Sequence, residues 1–291
     1  MFWDRAAIFY DLFGYIYRIE KNSVQETLLI PLFGRKLCTE LYPSVFRDEK
    51  AVELINRIDY DFSEFERKSR SALYRFGALE VAMREGDLMI ETKDYLQTHP
   101  KAALVNLGCG LDQTMENCDN GLCRIYNIDL PDVISVRNEL LPETDRIKNI
   151  GADLNDTAWF DEIPAENGVC LIAAGVFYYF KKEQVRKLFT AMSKRFPGGR
   201  LCFDTANKRA VKLMLKTWVK TAGVTSIEDY FSVESVEKDL SPWMKTAKIT
   251  ERGYMLGYND LRDPSVPGLF RLLGKLGDGF MKMRIVRMDF N

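Results

Sequence analysis

The chain has a single histidine, His99, among 291 residues. Histidine is the side chain that titrates nearest neutrality, so the commonest general base and the commonest nitrogen ligand for zinc are both scarce. The six cysteines (Cys38, Cys109, Cys118, Cys123, Cys170 and Cys202) contain no C-x-x-C pair. That spacing disfavours a zinc site or thiol redox motif and suits reduced, buried thiols; no metal is expected. Net charge is also small, at −1, which gives no bulk attraction to nucleic acid or to an anionic membrane. No apolar run reaches the roughly 18 residues that a membrane span needs. The segment from Met1 to Glu20 mixes Asp4, Arg5 and Asp11 with aromatics, unlike a signal peptide. These absences lead us to expect a cytoplasmic protein with neither nucleic-acid nor membrane partners. Apolar and aromatic residues are plentiful, at 46% and 12%, enough for a substantial core.

The first 98 residues read as helical. Val52, Leu54, Ile55 and Ile58 recur at helical spacing, as do Leu73, Phe76, Leu79, Val81 and Met83, so a helical N-terminal cap is expected over 1–98. His99 precedes Pro100, which favours a loop before the first strand. From 99 to 291, strand and helix signals alternate. Strands are expected at 102–107, 124–129, 149–152, 168–173, 199–204 and 281–290, with a helix at 183–196 among the segments between them. That alternation implies βαβ units and a mostly parallel, Rossmann-like α/β sheet. The Pro197-Gly198-Gly199 turn separates helix from strand. A helix over 208–220 carries an apolar face (Val211, Met214, Leu215, Trp218, Val219) and lysines at 208, 212, 216 and 220; a packed helix with a solvated lysine stripe is expected. The stretch 225–280 is read as a helical insertion before the last strand.

The most informative segment is Val105-Asn106-Leu107-Gly108-Cys109-Gly110-Leu111-Asp112. An apolar strand runs into a Gly-x-Gly turn, where glycine permits positive φ and close approach of a ligand to the backbone. Turns of this kind hold nucleotide-like cofactors at the carboxyl ends of α/β strands. The dinucleotide fingerprint asks for a third glycine, and Gln113 stands there instead, which weighs against a nicotinamide oxidoreductase. The turn, Leu111-Asp112 and an acid ending the next strand resemble the S-adenosylmethionine site of class I methyltransferases. Asp129 lies about 20 residues beyond the glycines, where a carboxylate accepts both hydroxyls of a ribose. Asp153-Leu154 follows the third expected strand, a carboxylate for an exocyclic amine and an apolar side chain for a purine face. A fourth apolar strand runs into Ala173-Ala174-Gly175-Val176-Phe177-Tyr178-Tyr179.

Four blocks are similar to the leucine carboxyl methyltransferase family, which includes tetracenomycin-type polyketide O-methyltransferases. They are Glu26-Thr27-Leu28-Leu29-Ile30-Pro31-Leu32-Phe33-Gly34-Arg35, Val105 to Thr114, Ile128-Asp129-Leu130-Pro131-Asp132-Val133, and Gly175 to Phe180. The spacing from Arg75 to Glu80 also matches an arginine followed five residues later by an acid. The resemblance spans roughly 25–205. It implies S-adenosylmethionine as cofactor, with Arg75 gripping its methionine carboxylate, a bidentate task suited to guanidinium. It implies Gly108 and Gly110 at the methionine portion, Asp129 on the ribose, and Asp153 and Leu154 at adenine; Asp112, Leu130, Ala174 and Gly175 are further expected cofactor-binding residues. Phosphatase-directed members carry glutamate where this chain has Ala174, so a phosphatase C-terminus is not the expected substrate.

Such a cofactor brings the reactive group, and the protein supplies alignment. Holding the two reactants in line contributes on the order of 7–11 kcal/mol. A carboxylate acceptor is already ionised and needs no base, whereas a phenol, with a pKa near 10, benefits from one. With His99 the one histidine, a carboxylate is mildly favoured. Tyr178 and Tyr179 are the expected lining of the acceptor pocket, with Asp204 or Tyr254 able to assist a hydroxyl. The expectation is an enzyme, an O-methyltransferase acting on a carboxylate or hydroxyl of a small molecule, polyketide-like, or on a peptide carboxylate. The alternative, kept by Ala174, is a catalytically silent S-adenosylmethionine-binding protein that acts through partners.

Overall fold

A computed structural model describes residues 17–21, 24–218 and 230–291. The described residues open on a two-residue strand β1 (Tyr17–Arg18), and α1 (Leu29–Leu41) and α2 (Glu49–Arg57) follow. The Asp48 carboxylate caps α2 by accepting from Ala51 N at 2.9 Å, and Glu49 and Arg57 suit the two ends of its dipole. Strand β2 (Ile58–Asp59) pairs parallel with β1, a pairing too short to leave an alternating pattern in the sequence. Helices α3 (Ser63–Lys68) and α4 (Ala72–Thr98) follow.

Beyond α4 the chain alternates: β3 (Ala103–Leu107), β4 (Arg124–Asp129), α5 (Pro131–Leu140), β5 (Ile147–Gly151), β6 (Val169–Ala173), α6 (Lys182–Arg195) and β7 (Arg200–Thr205). Pro131 sits in the first turn of α5, where its missing N–H costs nothing. Then come α7 (Lys208–Trp218), α8 (Val236–Asp239), β8 (Lys248–Gly253), α9 (Gly268–Gly279) and β9 (Arg284–Asp289). The sheet runs β5-β4-β3-β6-β7-β9-β8; the first five strands are parallel, and β9 runs antiparallel to both β7 and β8. The six expected strands all form, with ends shifted by no more than three residues. Residues 225–280 hold not only α8 and α9 but also β8, which the helical reading of that stretch lacked. Positions 219 and 220 of the expected 208–220 helix lie outside the described residues.

Side chains alternate across the sheet as a period of two requires. Leu104, Ile125, Cys170 and Cys202 face one core, shared with α1, α4 and α5. Ala103, Val105, Leu107, Ile128, Leu171 and Phe203 face the other, under α6 and α8. The strands β3, β6 and β7 are buried along their whole length, the mark of a parallel sheet covered on both faces. Helix α4 belongs to the first layer as much as to the N-terminal region. Its Tyr95 hydroxyl accepts from Val169 N at 3.2 Å and donates to Gly198 O at 3.1 Å. The core therefore runs through position 98 without a break. Among the described residues no helix is long and apolar enough to cross a membrane.

Candidate cofactor and acceptor site

Strand order reverses between β3 and β6, and the crevice outside the carboxyl ends at such a point is where open α/β sheets bind ligands. The Gly108–Asp112 turn lies there. Gly108 N and Cys109 N both donate to Ile128 O, at 2.8 and 3.1 Å, drawing the turn against the end of β4. Gly108 and Gly110 have φ of +66° and +49°, a region that costs any other residue strain. A Cβ on Gly108 would stand 2.5 Å from Val176 Cγ2, so the turn is seated directly on the segment after β6.

Asp129 ends β4 and closes the turn. Its Oδ2 accepts from Gly110 N and its Oδ1 from Leu130 N, both at 2.8 Å. Each oxygen has spent one lone pair and keeps another, the acceptor set a vicinal diol requires. Burial raises the Asp129 pKa above the usual carboxylate range, while the two backbone N–H groups pull it back. Leu130 is exposed at the rim. Asp153, beyond β5, is also exposed, with Oδ1 accepting from Asn155 N and Nδ2 at 2.9 Å.

Three expected residues have protein partners of their own. Asp112 is buried, and its Oδ1 accepts from Asn106 Nδ2 at 2.7 Å and from Thr114 N at 3.0 Å. Its carboxylate braces the turn from beneath instead of facing a ligand, because Asn106 on β3 is buried and must be satisfied. Leu154 packs into the second core beside Trp159 and Phe160. Arg75 donates from Nε to Ser69 O at 2.7 Å, which ties it to the α3–α4 turn.

Two arginines to which the sequence reading gave no role hold the turn by its carbonyls. Buried Arg35, on α1, bonds Leu111 O at 2.9 Å, Asp48 at 2.9 Å and Glu85 at 3.0 Å. Buried Arg137, on α5, bonds Asp112 O at 2.7 Å, Gly110 O at 3.0 Å and Glu116 at 2.6 Å. The available signal was a guanidinium among buried positions of an amphipathic helix (Val133, Val136, Arg137, Leu140): such a charge needs several acceptors.

On the β6–β7 side, Asp204 is the hub. Its Oδ1 accepts from Gly175 N at 2.6 Å, and its Oδ2 from the Tyr178 hydroxyl at 3.0 Å and Arg84 Nη1 at 3.2 Å. Gly175 has φ of +71°, and a Cβ there would stand 2.6 Å from Arg84 Nη1. Burial, and then the Asp204 charge, drives the Tyr178 pKa far above that of an ordinary phenol. Burial likewise pushes the Glu80 carboxyl up to about 8, against the pull of Arg84. Tyr179 is exposed at the rim. His99 caps the far end of α4, stacked on Tyr95 at 4.3 Å between ring centroids, and takes no part in this site. A separate cleft of about 730 Å³, lined by Tyr126, Lys148, Glu162 and Arg195 among others, opens toward the amino ends of the strands, away from the turn. Among the described residues no cluster of His, Cys, Asp or Glu could hold a metal.

The profile of the leucine carboxyl methyltransferase family matches residues 33–193. The chain belongs to the leucine carboxyl methyltransferase family. As a member it is an S-adenosylmethionine-dependent methyltransferase. It is 30% identical over 187 residues to the tetracenomycin polyketide synthesis O-methyltransferase TcmP of Streptomyces glaucescens, covering 64% of this chain and 67% of the relative. It is 27% identical over 190 residues to the S-adenosyl-L-methionine-dependent methyltransferase dpfgK of Gibberella zeae, covering 62% of this chain and 63% of the relative. The chain thus spans just under two thirds of the second relative's length. A DUF574 family protein from Streptomyces avermitilis shares the fold at TM-score 0.54 and 10% identity, covering 88% of this chain and 97% of that one. The plantazolicin methyltransferase BamL, solved with S-adenosylhomocysteine, shares it at TM-score 0.51 and 10% identity, covering 92% and 98%. The residues of the turn are compatible with such a cofactor: the Asp129 carboxylate, beside the positive-φ glycines, retains acceptor capacity.

Proposed function

We propose that this methyltransferase transfers a methyl group to an oxygen, a carboxylate or hydroxyl, of a small-molecule or peptide acceptor. Asp129 accepts the ribose hydroxyls, Gly108 and Gly110 admit the methionine portion, and Leu130 and Asp153 border the adenine. The Ala174–Gly175 segment and the rim residue Tyr179 adjoin the acceptor. The helices before residue 99 act as a cap: Leu28 lies against Gly110, where a Cβ would stand 3.4 Å from Leu28 Cδ2, and Arg35 reaches Leu111 O. The observation that carries the reading is the hydrogen bond from Gly110 N to Asp129 Oδ2, which unites the glycine turn and the ribose acid at the strand-order reversal.

When bound, S-adenosylmethionine supplies an electrophilic methyl group, so the protein's task is alignment and exclusion of water. Arg35 and Arg137 fix the turn's carbonyls and spare it reorganisation on binding. Gly175, held by Asp204, keeps the end of β6 flush with the turn. Tyr178 donates a hydrogen bond to Asp204, keeps its proton and so stays a neutral phenol that orients the carboxylate. A methyl-transfer screen over carboxylic acids and phenols, scored by released S-adenosylhomocysteine, tests the proposal. Turnover on an oxygen acceptor is expected. Methylation confined to amines or thiols, or cofactor binding with silence across the panel, would overturn it, the latter in favour of a silent binder.

A further inference from the structure

We infer that the outer face of α9, together with the start of α7, docks on an anionic lipid bilayer and brings the β6–β7 side of the crevice to the lipid boundary. Along α9, Leu269, Leu272 and Leu276 recur at i, i+3 and i+7, and Phe280 continues the line just past the helix; each is 52–57% exposed. That spacing puts the four on one side of the helix. Another side faces the core through Phe270, Gly274 and Gly277. A leucine standing alone on a surface needs no explanation, whereas a contiguous apolar stripe marks an interaction site.

Charge selects the occupant. Lys275 and Lys282 stand exposed beside the stripe. Arg209 of α7 lies over the Phe280 ring, 5.5 Å from its centroid, so α7 joins the same face and adds exposed Lys208 and Lys212. Nearby ion pairs join Arg262 to Asp260 and Arg284 to Glu251; among the described residues Lys208, Arg209, Lys212, Lys275 and Lys282 enter none. The one acid on α9, Asp278, is turned inward to Met255 N and Leu256 N. Residues 207–220 carry five cations and no acid, a local excess that the net charge of −1 conceals. An apolar line flanked by unpaired lysines suits a helix lying between headgroups and acyl chains. Its leucines enter the acyl region, and its ammonium groups meet lipid phosphates in an attraction that salt weakens. A second copy fits less well, since a two-fold contact through the stripe would set these cations against their own kind.

The face borders the site. Asn207, three residues past Asp204, donates from N to Met281 O and from Nδ2 to Phe280 O, both at 2.9 Å. Val211 of α7 packs in one small cluster with Tyr178. Lipid docking does not depend on the methyl-transfer reading: either can fail alone.

The test is co-sedimentation of the full chain with vesicles of phosphatidylcholine alone or mixed equally with phosphatidylglycerol. The wild type should bind the mixed vesicles about tenfold or more tighter than phosphatidylcholine alone, and lose about fivefold or more between about 0.1 and about 0.5 M salt. Leu272→Ser/Leu276→Ser and Lys275→Glu/Lys282→Glu should each lose about tenfold or more. Their thermal melts should overlie the wild type's, because all four side chains are exposed. Leu122→Ser/Lys194→Glu, exposed away from this face, should bind as wild type. All six cysteines are buried, so a nitrobenzoxadiazole label can be placed selectively on Leu276→Cys. Its emission should shift to the blue on mixed vesicles, and the same label on Leu122→Cys should not. A wild type that ignores the mixed vesicles would overturn the inference. So would equal losses in the Leu122/Lys194 control, an unshifted label at position 276, or a wild-type dimer in sedimentation velocity that Leu272→Ser/Leu276→Ser dissolves.

Discussion

Replacing Gly108 with alanine tests how tightly the turn is fitted. At φ +66° an alanine pays left-handed strain of about 1–2 kcal/mol. Its Cβ would stand 2.5 Å from Val176 Cγ2, closer than real Cβ atoms approach, and 3.2 Å from Cγ1. Turning Val176 off its rotamer to escape adds about 0.5–1.5 kcal/mol. The total is therefore roughly 1.5–3.5 kcal/mol. If the turn keeps its shape, the loss appears in unfolding free energy. If the turn yields, its bonds to Ile128 O and Asp129 loosen and the loss appears in S-adenosylmethionine affinity. Urea unfolding and calorimetric titration of the same variant measure both shares. In a Val176→Ala background the cost should shrink by the rotamer share, about 0.5–1.5 kcal/mol. A Gly108→Ala protein with wild-type stability and wild-type affinity would refute the close seating of the turn on Val176.

Asp129→Ala should weaken S-adenosylmethionine binding by about 1–3 kcal/mol, the scale of a lost charged hydrogen bond; unchanged affinity in calorimetry would remove Asp129 from the ribose. Arg137→Gln takes the cation from partly buried Glu116, leaving it Asn127 alone, and leaves two turn carbonyls unpaired; it should cost about 3–5 kcal/mol in urea unfolding, and a loss under about 1 kcal/mol would deny the clamp. Tyr178→Phe should change kcat by only a few-fold, since the hydroxyl is a donor to Asp204; a thousandfold fall would make Tyr178 the base. Asp87 is buried with Oδ2 unpartnered, and burial, with Asp278 and Glu91 nearby, pushes its pKa from 3.8 up to about 9. The folded state keeps a proton that the unfolded chain loses near pH 4, so its contribution is complete below that and fades as pH rises to about 9. Thermal melts should show Asp87→Asn flattening this slope and gaining on wild type at about pH 8–9; parallel melting curves across that range would count against it.

The sheet was largely readable because its central strands are covered on both faces and stand out as continuous apolar runs. Strand β8 was not: in Lys248–Gly253 only Ile249 is apolar, and as an edge strand it is held by backbone pairing to β9. The nearness of Asp129 to the glycine turn was legible since its partner Gly110 lies only 19 residues upstream in one strand–turn–strand motif. Asp112 belongs to the same motif, yet spacing does not say which way a side chain turns, and Asn106 claims it. Arg35 and Arg137 act on backbone carbonyls, Arg35 across 76 residues, and a carbonyl leaves no mark in a sequence. Arg84 and Asp204 are 120 residues apart, and only the packing of α4 against β7 brings them together.

Calorimetric titration of the wild-type chain with S-adenosylmethionine, S-adenosylhomocysteine and NADH tests most directly whether the glycine turn and Asp129 form a methyl-donor site. Saturable binding of the first two at one site per chain, with no heat from NADH, is expected. Saturable NADH binding with no response to S-adenosylmethionine would contradict it.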